Sequence, residues 1–374
     1  MSSDKRAEII FGGDVHLGTS APVLGSDIQH AFDRVDAVII NLESPICEPS
    51  PIAIPFDVPD ADRKKTILLR SDPGAENILA EWGVTHAVFA NNHIFDHGVK
   101  GFMETRKRLE SQGVKYAGAG TNAYEAAAPL VIKTGSCAIG VIAATEGRAQ
   151  SIIAKEAEYG CHSLSIKPLL NQVTALRRNV DHVVVIPHWG YCGPEYPAYD
   201  MLETSQRLLA AGATAVIGHH SHVVQGYQRV GKSQLVAYSL GNFYFAPYPL
   251  RSGAIKSPSA EGTKGALLSV VFNHTQMSFE WIFTRQKNVN SIEADSDIKR
   301  KAILEKRSAA VESSRTYIAL QKRIAFCRLW NRVVRWSQPK AWKLLNIKSF
   351  ANLLIVVSDL FRGCPADRMK NDKT

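Results

Sequence analysis

The sequence predicts an α/β fold. Short runs of β-branched and aliphatic residues recur along most of the chain, with segments of helical apolar spacing between them, and five runs end directly in Asp, Glu, Asn or His. The first two observations give the class. The third says where such a protein keeps its chemistry, because loops at strand ends can aim side chains at one point.

Taken in order, buried strands are expected at 8–11, 37–40, 86–90, 138–142, 182–186, 213–217, 234–238 and 266–272. Helices are expected at 73–82, 99–112, 166–179 and 199–210, several of them ending near a Gly. Two stretches rich in turn-forming residues, 45–65 and 246–264, read as long surface loops that can cover a site. From about residue 291 the pattern turns to charged helix carrying Ile324, Phe326, Leu329, Trp330, Val333, Val334 and Trp336, broken at Pro339. The expected organisation is a main domain over 1–290 and a basic helical extension over 291–374.

At 374 residues and 45% hydrophobic, the chain can bury one large core with an appendage, which excludes a mainly disordered protein. Its net charge of +9 is uneven: from Arg300 onward, 17 Lys and Arg stand against 5 Asp and Glu. The main domain is therefore mildly acidic, which disfavours nucleic acid as its partner. The basic extension suits a solvated helical surface or a peripheral patch on anionic lipid better than a nucleic-acid contact, since nothing in it matches a base-reading motif; a hairpin packed on the domain is the simpler reading. Six scattered cysteines without a C-x-x-C pair fit a reduced, cytoplasmic setting. The first residues lack the apolar stretch of a secretory signal, and no apolar run reaches the roughly 20 residues of a spanning helix, so neither is expected.

The five polar strand endings are IIFGGDVH, VIINLES, AVFANNH, VVVIPHWG and AVIGHHSH. They bring forward Asp14, His16, Glu43, Asn92, His188, His220 and His222. In extended chain, residues i and i+2 point the same way, so the pairs Asp14/His16 and His220/His222 can each face one metal. Carboxylate, amide oxygen and imidazole form a donor set for Mn, Fe, Zn or Co. Seven donors exceed one tetrahedral zinc and suit two divalent ions sharing a carboxylate. Any one of these histidines alone reads more simply as a packed core residue; the pattern as a whole carries the metal site.

At these residues the chain resembles the capsule-synthesis CapA family of poly-γ-glutamate biosynthesis proteins, which has a calcineurin-like metallophosphoesterase fold. The resemblance runs from about residue 9 to 283 through GDVHLG, NLESPI, FANNHIFDHGVKGFMETRKRLESQGVKYAGAG, PHWGYCGPEYP, IGHHSHVVQGY and YSLGNF. It implies a four-layer αββα sandwich with two mixed sheets. It also implies one metal on Asp14, His16 and His222, another on Asn92, His188 and His220, and Glu43 bridging them. His93 falls where such enzymes keep the acid that protonates the leaving group, and Asp96 can orient its imidazole. The bridging acid here is Glu in N-L-E, where phosphoesterases usually carry Asp. His219 occupies a usual Gly position and reads as a neighbour of the ligands.

Asn242 in SLGNF, and Tyr191 and Glu195 in the loop after His188, are candidate substrate contacts, with turn capping and packing as the simpler readings. Two functions stand. One is a metal-dependent hydrolase acting on a phosphoester or γ-glutamyl-type bond during capsule or cell-surface polymer biosynthesis. The other is a non-catalytic subunit that keeps the fold to bind an anionic polymer or a synthase complex at the inner face of the membrane.

Overall fold

The computed structural model describes residues 6–49, 67–134, 137–147, 150–250, 252–273, 276–312 and 317. The chain forms two compact units, Met1–Ala309 and Ala310–Thr374. The helical residues expected between 324 and 336 lie outside the described residues, as does most of the expected loop 45–65.

The first strand, Arg6–His16, alternates its side chains with the period of two that extended chain imposes. Ala7, Ile9 and Phe11 join one buried cluster, and Ile10 and Val15 join another on the opposite face. This strand sits inside a nine-stranded sheet. On one side run Ala37–Leu42, His86–Val88 and Lys115–Ala117, each parallel to its neighbour. On the other run Lys264–Asn273, Met277–Asn288 and Ser291–Ala294, antiparallel, and then Val23–Leu24 at the edge. Asn242–Phe245 also lies parallel to the end of the first strand.

The second sheet runs Tyr227–Val230, Gln234–Ala237, Ala215–Ile217, His182–His188, Cys137–Thr145, Leu130–Thr134, parallel in its centre and antiparallel at both edges. Ile9, Phe11, Ile39 and Val88 of the first sheet share one cluster with Val141, Val184, Ile186 and Ile217 of the second, so the sheets pack face to face. The outward Ile10, Val38 and Ile40 pack against Phe32, Leu79, Phe102 and Leu109, which lie on the helices Ser26–Phe32, Ala75–Glu81 and Gly98–Ser111. Helices Ile166–Leu176 and Tyr199–Ala210 cover the second sheet. A Cβ on Gly140 would lie 2.6 Å from Leu176 of the former. The result is the expected αββα layering.

Parallel neighbours end on the same edge, so Asp14, Glu43 and Asn92 emerge together from the first sheet, and His188 and His220 emerge together from the second. Close backbone approach brings these ends in. A Cβ on Gly13 would sit 2.1 Å from the Gly241 carbonyl, where Asp14 N–H donates to that same oxygen at 2.9 Å.

Beyond strands that the expected set lacks, such as Met277–Asn288, the structure moves one expected boundary and orders part of one expected loop. Ser291–Ala294 is a strand of the first sheet, so the first unit runs past the expected boundary at 290 to Ala309. Four residues with only Ile292 inward give too little apolar pattern to be seen. The expected loop 246–264 contains a short hairpin, Tyr248–Pro249 with Ile255–Lys256. Among the described residues no helix is long and apolar enough to cross a membrane.

His86 provides a pH test of the first sheet. It is buried beside the Thr85 hydroxyl, 2.8 Å from Nδ1, and burial together with the Lys115 charge pulls its pKa down to about 4. An unfolded histidine takes up a proton near 6.5 while the folded one does not, so stability is complete above that pH and is lost as pH falls toward 4. The loss amounts to roughly 3 kcal/mol across the window. Thermal melts from pH 7 to 4.5 are expected to fall less steeply in His86→Gln than in the wild type; parallel curves would remove His86 as a cause.

Candidate metal centre

Glu43 is the hub of the centre. It follows the strand Ala37–Leu42, has no solvent exposure, and its backbone N–H donates to the Val15 carbonyl at 2.8 Å. Its carboxylate belongs to two donor groups: Glu43, His188 and His220 form one, and Asp14, Glu43 and His222 the other, each with donor atoms within 4.8 Å of one another. His188 Nε2 lies 3.6 Å from Glu43 Oε1 and 2.9 Å from Asn92 Oδ1, which adds the Asn92 amide to the first group. His222 presents Nδ1 at 3.3 Å from Asp14 and Nε2 at 3.6 Å from Glu43.

The electrostatics suit a cation. Asp14 and Glu43 are both fully buried, and buried carboxylates need compensating positive charge. Burial by itself raises the Asp14 pKa, but hydrogen bonds from His219 and His222 outweigh it and hold the carboxyl well below its usual range. In His222 burial acts downward, yet Glu43 and Asp14 lift the imidazole well above its usual value. Burial, aided by His220, keeps His188 well below it, and burial, aided by His93, pulls His16 down to about 3. His16 and His188 are thus neutral, the form that ligates.

His16 lies outside both groups. Its Nδ1 is buried without a hydrogen-bond partner and its ring packs 5.1 Å from Phe245, beside a register shift between Asp14 and Val15. His220 and His222 do not face one metal as the i, i+2 rule predicts. Their φ angles of 94° and 57° place both in the left-handed region, so the backbone turns between them and sends one imidazole to each group. That split is the one the family resemblance implies.

A layer of amides and imidazoles holds these groups in place. Asn41 Nδ2 donates to Asp14 at 2.8 Å and lies 3.3 Å from His188 Nδ1, while its own oxygen accepts from Asn91 at 3.1 Å. His219 Nδ1 is 2.9 Å from Asp14. Asn41 escaped the sequence reading, although its place two residues before Glu43 on a strand put it on the same face. Asn91 accepts from the backbone N–H groups of His93 and Ile94 and so shapes the turn that presents Asn92. His93 Nδ1 meets Asp96 Oδ2 at 2.6 Å, and Asp96 also accepts from Leu69 N–H.

The candidate substrate contacts are placed differently. Asn242 is buried, with Oδ1 2.8 Å from His222 Nδ1 and Nδ2 donating to the Gly262 carbonyl, so its amide is committed to holding His222. Glu195 is paired with Arg307 at 2.9 Å. Tyr191 is exposed on the loop after His188, whereas Trp189 is fully buried and donates to the Tyr238 carbonyl.

The family model described as bacterial capsule synthesis protein PGA_cap matches residues 8–247, a span that takes in every donor above. The chain belongs to this capsule synthesis protein family. Among curated relatives, it is 30% identical over 185 residues to capsule biosynthesis protein CapA of Bacillus anthracis, covering 48% of this chain and 45% of that one. It is 26% identical over 253 residues to PGA biosynthesis protein CapA of Bacillus subtilis strain 168, covering 65% and 64%. The chain thus spans less than two thirds of either relative's length. A solved 5'-nucleotidase precursor from Thermus thermophilus is 15% identical, covers 82% of this chain and 59% of its own, and has a TM-score of 0.44. That likeness is too slight to bear on fold or chemistry, which rest on the sheets and donors themselves. The PGA_cap match stops short of Lys264–Asn273, Met277–Asn288 and Ser291–Ala294, though all three complete the first sheet.

Proposed function

We propose that this chain is a metal-dependent hydrolase that cleaves a phosphoester or γ-glutamyl-type bond in the biosynthesis of a capsule or another cell-surface polymer. The observation that carries this reading is the Glu43 carboxylate shared by two donor groups, one wholly buried and one open only at His222. Two divalent ions, Mn, Fe, Zn or Co, held there would lower the pKa of water and stabilise negative charge at phosphorus or carbonyl carbon. Asp14 and His222 would hold one ion, with His16 as the nearby neutral imidazole; Asn92, His188 and His220 would hold the other.

His93 supplies the leaving group's proton. The Asp96 carboxylate accepts from Nδ1–H, which assigns proton exchange with the leaving group to Nε2. The names of the Bacillus relatives support the capsule setting. An anionic polymer or phosphoester is the substrate class, met at the cytoplasmic face of the membrane, where the basic residues after Arg300 can meet anionic lipid.

Elemental analysis of the purified protein tests the centre, paired with hydrolysis of aryl phosphate mono- and diesters in added Mn²⁺. About two ions per chain are expected in the wild type, and about one in His220→Ala, with hydrolysis lost. A wild type that takes up no metal and stays inactive when metal is added would overturn the hydrolase and leave a polymer-binding subunit.

A further inference from the structure

The helix Ile298–Glu312 lies beyond the family-matched residues and supplies no metal donor, yet it reaches both loops that carry histidines from the second sheet. Arg307 on this helix is 7% exposed. One arm of its guanidinium donates to the Val224 carbonyl at 2.5 Å, two residues past His222. The other lies 2.9 Å from the Glu195 carboxylate, in the loop that follows His188, and 3.8 Å from Glu261.

The docking is close along the whole contact. A Cβ on Gly226 would sit 2.7 Å from the Arg307 carbonyl carbon, so only glycine lets the two backbones approach this far. Tyr227 N–H donates to the Ser308 hydroxyl at 2.9 Å, and Leu304 is buried with Val224 and Ala266. Arg300, two turns earlier on the same helical face, donates to the Gly265 carbonyl at 3.0 Å and pairs with Asp295. The two loops are also tied to each other, by Gly193 N–H to the Ser221 carbonyl and by Gln225 to the Pro194 carbonyl.

Between these ties His220 and His222 hold left-handed backbone, which non-glycine residues keep only where surrounding contacts enforce it. We infer that Arg307 is a positioning residue. It clips the His188 loop to the His220–His222 loop and so sets the spacing of the imidazoles across the centre. A forked, planar guanidinium can serve two acceptors in different directions, and a lysine ammonium on the same stem reaches one of them well. The consequence for metal binding rests on the hydrolase reading; the clip itself does not.

Hydrogen exchange on the full chain separates the two. In Arg307→Ala, amides of 190–196 and 219–225 are expected to exchange about tenfold faster, while those of the strand Ala37–Leu42 stay as in the wild type. Arg307→Lys is expected to fall between, and Glu195→Gln to loosen 190–196 alone. Titration with Mn²⁺ is expected to show about tenfold weaker uptake in Arg307→Ala at unchanged circular dichroism. Wild-type exchange in both loops, or equal acceleration throughout including the reference strand, overturns the clip. Faster loops in a protein whose wild type binds no Mn²⁺ uphold the clip and remove the hydrolase.

Discussion

Glu43→Gln is expected to release both ions at once, with bound metal falling from about two per chain to well under one. The substitution keeps the shape of the side chain and removes the charge that both donor groups share, so it acts on the centre as a whole. Hydrolysis is expected to fall by ~10³-fold or more, because charge stabilisation in a buried site is usually the largest single contribution to such a rate. Asp14→Asn touches one donor group only and is expected to retain about one ion. Gln at position 43 with full metal content and full activity would mean that the carboxylate does not bridge, and the two-ion reading would go with it.

The second large effect concerns His93. Replacing it by Ala is expected to slow hydrolysis of an alkyl phosphodiester by ~10²- to 10⁴-fold, the usual range for loss of a positioned proton donor. A nitrophenyl ester leaves as a stable anion without a proton, so with that substrate the loss is expected to be much smaller. Metal content should not change. Asp96→Asn is expected to give an intermediate loss, since it weakens the 2.6 Å contact that orients the imidazole and also disturbs the Leu69 N–H bond. Equal losses on both esters, or metal lost along with activity, would place His93 among the structural residues.

Most of the layering was legible in the sequence, because strands buried on both faces leave unbroken aliphatic runs. Ala37–Leu42 and His182–His188 have every residue buried and stood out at once. Met277–Asn288 did not. It is partly exposed and mixes Glu, Thr, Arg and Lys with its aromatics, so its signal is weak even though it pairs along nearly its whole length. Of the centre, the donor types were legible because they end strands, but their grouping was not. The i, i+2 argument holds only for extended backbone, and the left-handed turn at His220–His222 obeys no short-range rule of hydrophobic spacing. Arg307 was illegible for a different reason: a charged residue on a charged helix looks like solvent surface until the helix is docked.

The place of the first strand in its sheet has a bearing on how the protein is made. Arg6–His16 is synthesised well before its antiparallel neighbour, Lys264–Asn273, itself flanked by Met277–Asn288 and Ser291–Ala294. Until Lys264–Asn273 has left the ribosome, one flank of a highly apolar strand lacks its antiparallel partner. Folding cannot close the sheet from the amino end forward, and long-range pairing of this kind is slow and prone to aggregation. A chain cut before Lys264–Asn273 would leave that flank of the first strand open, and an open apolar strand edge is a template for pairing with other chains.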